Sequence, residues 1–172
     1  MTDPIIRVAD LAWGRIRSPD LDKQEEFLTR FGMVRSERTE KKLFMRGTGS
    51  SHHIHVTEKG DPGFISLAFR ARSEDDLRKL AAEADSASAV EDIDEPGGGK
   101  RVRLTEPNGY MIEVVHGVEE LAEIPVERQA YNFGNVDKYK RAGTLWRTPR
   151  GPATVMRIGH GVLGTTKLAE ST

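Results

Sequence analysis

The chain has 172 residues, with 26 Lys and Arg against 27 Asp and Glu, a balance that supplies neither a basic field for a polyanion nor an acidic excess that would keep the chain unfolded. Its length suits one well-buried core with an appendage. Cysteine is absent, which excludes disulfides, thiolate zinc sites and a cysteine nucleophile, so any transition metal must be held by His and carboxylate.

The opening "MTDPIIRVADLAW" lacks a basic region followed by an apolar one, and no run of about 18 apolar residues occurs. A cytoplasmic protein without membrane or nucleic-acid partners is expected. Leu11–Arg17 alternates as a strand, closed by Ser18-Pro19-Asp20; a helix follows over "LDKQEEFLTRFGM", with Leu21, Phe27, Leu28 and Phe31 as one buried stripe and Gly32 at its end. "MVRSERTE" and "KKLFMRG" suit a hairpin, and "SHHIHVTEKG" a further strand. On that strand the period of two places His53 and His55 on one face, a pair able to chelate zinc or nickel, although a structural role is the simpler expectation.

The same order then recurs. "FISLAFRA" is a strand, Ser73 caps the helix "EDDLRKLAAEA", a short strand lies near Ala89–Ile93, and "KRVRLTEPNGYMIEVVHG" forms two strands about the turn Glu106-Pro107-Asn108-Gly109. The fold class is therefore α+β, with two tandem βαβββ units over residues 1–117. Residues 118–155, with Pro125, Pro149 and Pro152 among charges, suit a linker holding one short helix; its basic, aromatic stretch "KYKRAGTLWRTPR" is expected to pack Tyr139 and Trp146 on a domain face. "IGHGVLGTTKL" from Ile158 repeats "LAWGRIRSPDL" from Leu11 at an offset of 147 residues, matching Gly161 to Gly14 and Leu168 to Leu21. Residues 156–172 are thus expected to be the first strand and helix start of a second, truncated domain.

The two units, with "RIRSPDLDKQEEFLTRFGM", "FMRGTGSSHHIHV" and "LTEPNGYMIEVV", resemble the vicinal oxygen chelate (glyoxalase/bleomycin resistance/dioxygenase) superfamily, and within it the N-terminal domain of type I extradiol, or catechol 2,3-type, dioxygenases. The resemblance implies a cupped mixed sheet and three metal ligands, two histidines and a glutamate on Fe(II), a facial triad that leaves positions for substrate and dioxygen. Those ligand positions fall on Trp13, Ser66 and Glu113, of which only Glu113 keeps a ligand-type side chain. The first domain is therefore expected to lack metal, and Glu113 to be held by an arginine or a backbone donor.

His160 matches Trp13 in the repeat, and the resemblance makes it the first metal ligand of the incomplete second domain. It implies, for a full-length enzyme, Fe(II), a catechol-type aromatic substrate and meta-cleavage by O₂, with this chain alone inactive and holding no metal. Homo-oligomerisation through an exposed apolar patch is expected. The alternative is a stand-alone, metal-free protein binding a small aromatic or antibiotic ligand in the cup, with Trp13 as its contact.

Overall fold

The computed structural model describes residues 3–126 and 151–170. Its first unit comprises β1 (Asp10–Ser18), α1 (Leu21–Phe31), β2 (Val34–Arg38), β3 (Lys42–Arg46) and β4 (His55–Lys59), and its second β5 (Gly63–Arg70), α2 (Glu74–Glu83), β6 (Glu91–Asp92), β7 (Lys100–Thr105) and β8 (Met111–His116). The eight strands form one mixed sheet in the order β2-β3-β4-β1-β5-β8-β7-β6. In each unit the first strand runs parallel to the last, and β1 joins β5 antiparallel at the centre. Two βαβββ units side by side, as the repeat predicts, thus make an open cupped sheet.

Local chemistry sets the helix limits. Asp20 accepts hydrogen bonds from the backbone N–H groups of Asp22 and Lys23, both 3.0 Å, and Ser73 and Asp76 form a reciprocal capping box at the start of α2. Gly32 closes α1 at φ +109°, a left-handed conformation that glycine adopts without a Cβ penalty.

The helices cover one face of the sheet. Leu21 and Leu28 of α1 pack with Leu43 and Met45, while Leu77 and Leu80 of α2 pack with Val102 and Val114. The opposite, concave face is divided. One end is apolar, built from Trp13, Phe44, Val56, Ala68, Ile93 and Val115; the other holds charge.

Four local expectations change. Of the α1 stripe only Leu21 and Leu28 are buried, because these two meet Leu43 and Met45, while Phe27 and Phe31 stand exposed. β4 begins at His55, so His52 and His53 lie in the preceding loop rather than on a strand. The reason is pairing: β3 and β4 are in register only from Met45↔His55 onward, and the loop before it is free to turn His53 into the cup. The strand near Ala89–Ile93 shrinks to Glu91–Asp92 because only those residues pair with β7. Residues 151–170 contain no strand or helix; among the described residues no strand pairs with Ile158–Gly164, and a strand without a partner has no ladder.

This terminal segment nevertheless lies on the domain. Thr48 and Gly49 donate backbone hydrogen bonds to the carbonyls of Val155 and Met156, Arg157 pairs with Asp10 at 3.2 Å, and Asn108 reaches Thr165 at 2.6 Å. Gly161 lies so close to Leu67 that a Cβ there would meet its Cδ2 at 2.8 Å. After β8 the chain also stays against the first unit, with Leu121 and Ile124 donating to the carbonyls of Ser50 and Thr48. The stretch from Lys138 to Arg150, with Tyr139 and Trp146, and the short helix expected in the linker beyond Val126 lie outside the described residues.

Candidate functional site

Three central strands place the candidate positions. Trp13 of β1 stands opposite Ala68 of β5, which stands beside Glu113 of β8, while Arg15 stands opposite Ser66 in the next row. Strand alternation therefore points Trp13, Arg15, Ser66 and Glu113 to the concave face.

Glu113 is 2% exposed and fully engaged. The Ser66 hydroxyl donates to its Oε1, Arg15 Nε lies 3.4 Å from that oxygen, and Arg101 Nη1 donates to Oε2 at 3.2 Å. Arg15 extends the network with hydrogen bonds from Nη1 to Glu58 (2.8 Å) and from Nη1 and Nη2 to Glu95 (3.1 and 2.7 Å). Lys42 completes it on Glu95, and Arg101 and Arg103 share Glu91 at 3.4 and 2.8 Å. Four cations and three carboxylates, Glu58, Glu95 and Glu113, thus line a cleft of about 190 Å³, with Glu91 behind Arg101 and Arg103.

Within this network Arg15 and Glu95 hold each other in the ionised state. For Arg15, burial opposes the positive charge, but the Glu95 hydrogen bonds and the Glu113 and Glu95 charges outweigh it and raise the pKa above the ordinary value. For Glu95, burial works against the carboxylate, yet hydrogen bonds from Arg15 and Lys42 bring it down to about 2. Such charge-assisted, bidentate contacts fix geometry as well as charge.

Trp13 is 2% exposed and lies 4.5 Å, ring to ring, from His53, which also meets Phe44 edge-on at 5.3 Å. The indole thus fills the apolar end of the cup. Burial, reinforced by the His52 and Arg15 charges, pushes His53 down to about 3. His52 and His53 approach at 3.0 Å between their Nδ1 atoms, and His55 instead meets the Thr57 hydroxyl at 2.9 Å, its pKa pushed by burial down to about 4. The two rings do not form the chelating pair that strand alternation would allow: one packs on Trp13 and the other meets Thr57.

The donor set does not suit a divalent metal. Trp13 offers no lone pair, Ser66 already donates to Glu113, and both Glu113 oxygens face guanidinium groups. Among the described residues no group of three or more His, Asp or Glu is arranged to hold a metal ion. His160 is exposed on the terminal segment, between Arg157 on Asp10 and Gly161 on Leu67.

The profile of the glyoxalase/bleomycin resistance protein/dioxygenase superfamily matches residues 7–114. The chain belongs to this superfamily. Two curated relatives from it bear names of ring-cleaving enzymes. Metapyrocatechase of Geobacillus stearothermophilus is 28% identical over 131 residues, 73% of this chain and 40% of that protein. A manganese-dependent 2,3-dihydroxybiphenyl 1,2-dioxygenase of Geobacillus genomosp. 3 is 27% identical over 127 residues, 70% of this chain and 39% of that protein.

Among solved structures, the Mn(II)-bound glyoxalase of Novosphingobium aromaticivorans has a TM-score of 0.65 at 22% identity, over 71% of this chain and 43% of that one, a likeness of fold. The chain thus spans about 40% of the length of the curated superfamily members it matches.

Sequence reasoning named Glu113 and the kind of partner it would need, but missed that Arg15 supplies it. The available signal was the alternation in "LAWGRIR", which puts an arginine two residues from Trp13 on the same face. Glu95 carried no such signal, because it stands in the turn beside "PGGG" rather than on a strand.

Proposed function

We propose that residues 1–117 are the non-catalytic N-terminal domain of an extradiol ring-cleavage dioxygenase. Residues 118–155 are its linker, and residues 156–172 open the catalytic domain. The observation that carries this reading is the combination of a saturated cup with partial coverage: Glu113 is neutralised by arginines, while the dioxygenase relatives are more than twice as long as the part matched. His160, which repeats the Trp13 position, is the first metal ligand of the catalytic domain.

The full enzyme opens a catechol-type ring with O₂ at a divalent non-haem metal. Fe(II) is the proposed ion, although one relative's name specifies manganese. The chain ending at Thr172 has no turnover of its own, and the protein is cytoplasmic; among the described residues no helix is long and apolar enough to cross a membrane. Assembly into a homo-oligomer is part of the proposal, motivated by the exposed, stacked Phe27 and Phe31 of α1.

Two measurements test it. The product of the complete gene should have an intact mass well above 19.1 kDa, and with Fe(II) it should consume oxygen on adding catechols. Replacing His160 by Ala in that product should abolish both metal retention and oxygen uptake. A 19.1 kDa product, or a His160→Ala protein that keeps its metal, ends the proposal.

A further inference from the structure

We propose that the Arg15 guanidinium is the resident cation of this cup, an internal counter-ion that makes the folding of the two-unit domain independent of any metal. The inference rests on the strand register and the ion-pair geometry, not on the dioxygenase reading, and its test uses the present chain alone.

A carboxylate at the centre of a sheet, 2% exposed, is strongly disfavoured unless its charge is matched and its lone pairs are met. β8 pairs with β5 and β7, so the backbone donors beside Glu113 are spent in the ladder and its carboxylate depends on side-chain donors. Arginine solves this because its planar fork serves several acceptors at once. From one side chain, Nε faces Glu113 at 3.4 Å while Nη1 and Nη2 bind Glu58 and Glu95.

The Arg15 side chain is itself only 4% exposed, so solvent does little to screen these contacts. Arg101, from β7, adds a second guanidinium on the other carboxylate oxygen. The result ties β1, β4, β7 and β8 to the turn at Glu95 through charged hydrogen bonds, where a metal would join strands through coordination.

A lysine at position 15 would be a poor substitute. It carries the same charge as a single point, without the fork that reaches Glu58, Glu95 and Glu113 together. Removing the arginine leaves the buried Glu113 with Arg101 alone and Glu95 with Lys42 alone, a change that destabilises far more than removing both members of a pair.

The test compares Arg15 variants with a compensating double variant and adds a metal arm. The native chain should melt at the same temperature, within about 1 °C, in EDTA and in excess Mn(II), and retain no stoichiometric metal after desalting. Arg15→Met should lower the melting temperature by on the order of 10 °C. Arg15→Lys should fall between the two, and Arg15→Met combined with Glu113→Gln should recover about half of the loss.

A native chain that keeps one equivalent of metal, or gains several degrees from Mn(II), overturns the inference. So does a double variant no more stable than Arg15→Met, including the case in which neither folds. If Arg15→Met fails to fold but the double variant folds, the inference stands.

Discussion

Acid should unfold this protein through the buried His53 and the half-buried His55 before its carboxylates matter. His53 and His55 are held well below the ordinary histidine value of 6.5, at about 3 and about 4, with burial as the leading cause in both. A group whose pKa is depressed on folding contributes stability that is fully present above its unfolded value and is lost as the pH falls toward the folded one. Between pH 6.5 and 5 both rings stay neutral in the native state while the unfolded chain takes up a proton at each.

Each histidine then costs about 1.4 kcal/mol per pH unit, so the pair removes about 3–4 kcal/mol by pH 5. His52, lowered in the same direction by burial, adds to the loss. Glu95 does not contribute in this window, because its depression, from 4.5 to about 2, acts only below pH 4.5. The assay is urea denaturation followed by circular dichroism at pH 7.5, 6 and 5, on the native chain and on His53→Phe and His55→Leu, singly and together.

Each substitution should remove about one proton from the slope of stability against pH, whatever it does to stability at pH 7.5. Comparing slopes separates titration from any packing defect. Stability that stays level from pH 7.5 to 5, or a double variant with the native slope, would falsify the assignment of the acid sensitivity to these two rings.

Other outcomes follow from single contacts. Gly32→Ala meets both the strain of φ +109° and the Ala153 carbonyl oxygen 1.8 Å from the new Cβ; it should cost about 2–4 kcal/mol in urea denaturation. Ser73→Ala removes the cap of α2 and should cost about 1 kcal/mol, with Ser73→Asp close to native. Gly161→Val drives a side chain into Leu67, so limited proteolysis should cut residues 153–168 faster while the melting temperature of the domain changes little. Between pH 4.5 and 2 the Glu95 ion pairs should contribute a further loss of about 2–3 kcal/mol, visible as a steeper stability slope that Glu95→Gln removes.

How much of the site was legible can be judged from three residues. Glu113 stood out because a carboxylate within "YMIEVV" interrupts an apolar strand, and burial of such a charge demands a partner. His53 did not stand out correctly, because strand alternation was extended back to Ser51, whereas β3–β4 pairing begins only at His55. Ring packing against Trp13, rather than periodicity, decides where His53 points. Arg15 was visible as a strand residue but not as a counter-ion, since its partners Glu58, Glu95 and Glu113 are 43, 80 and 98 residues away along the chain.

By itself the sequence determined the two βαβββ units, the helix caps and the repeat that aligns His160 with Trp13, because these follow from neighbouring residues: alternation of two, helical spacing, and a cap beside each first turn. Only the tertiary structure decided which cation meets which carboxylate, and that residues 151–170 lie on the domain without joining the sheet as a strand. Those outcomes depend on strand order and register, which bring distant residues within ångströms of one another and which no local pattern encodes.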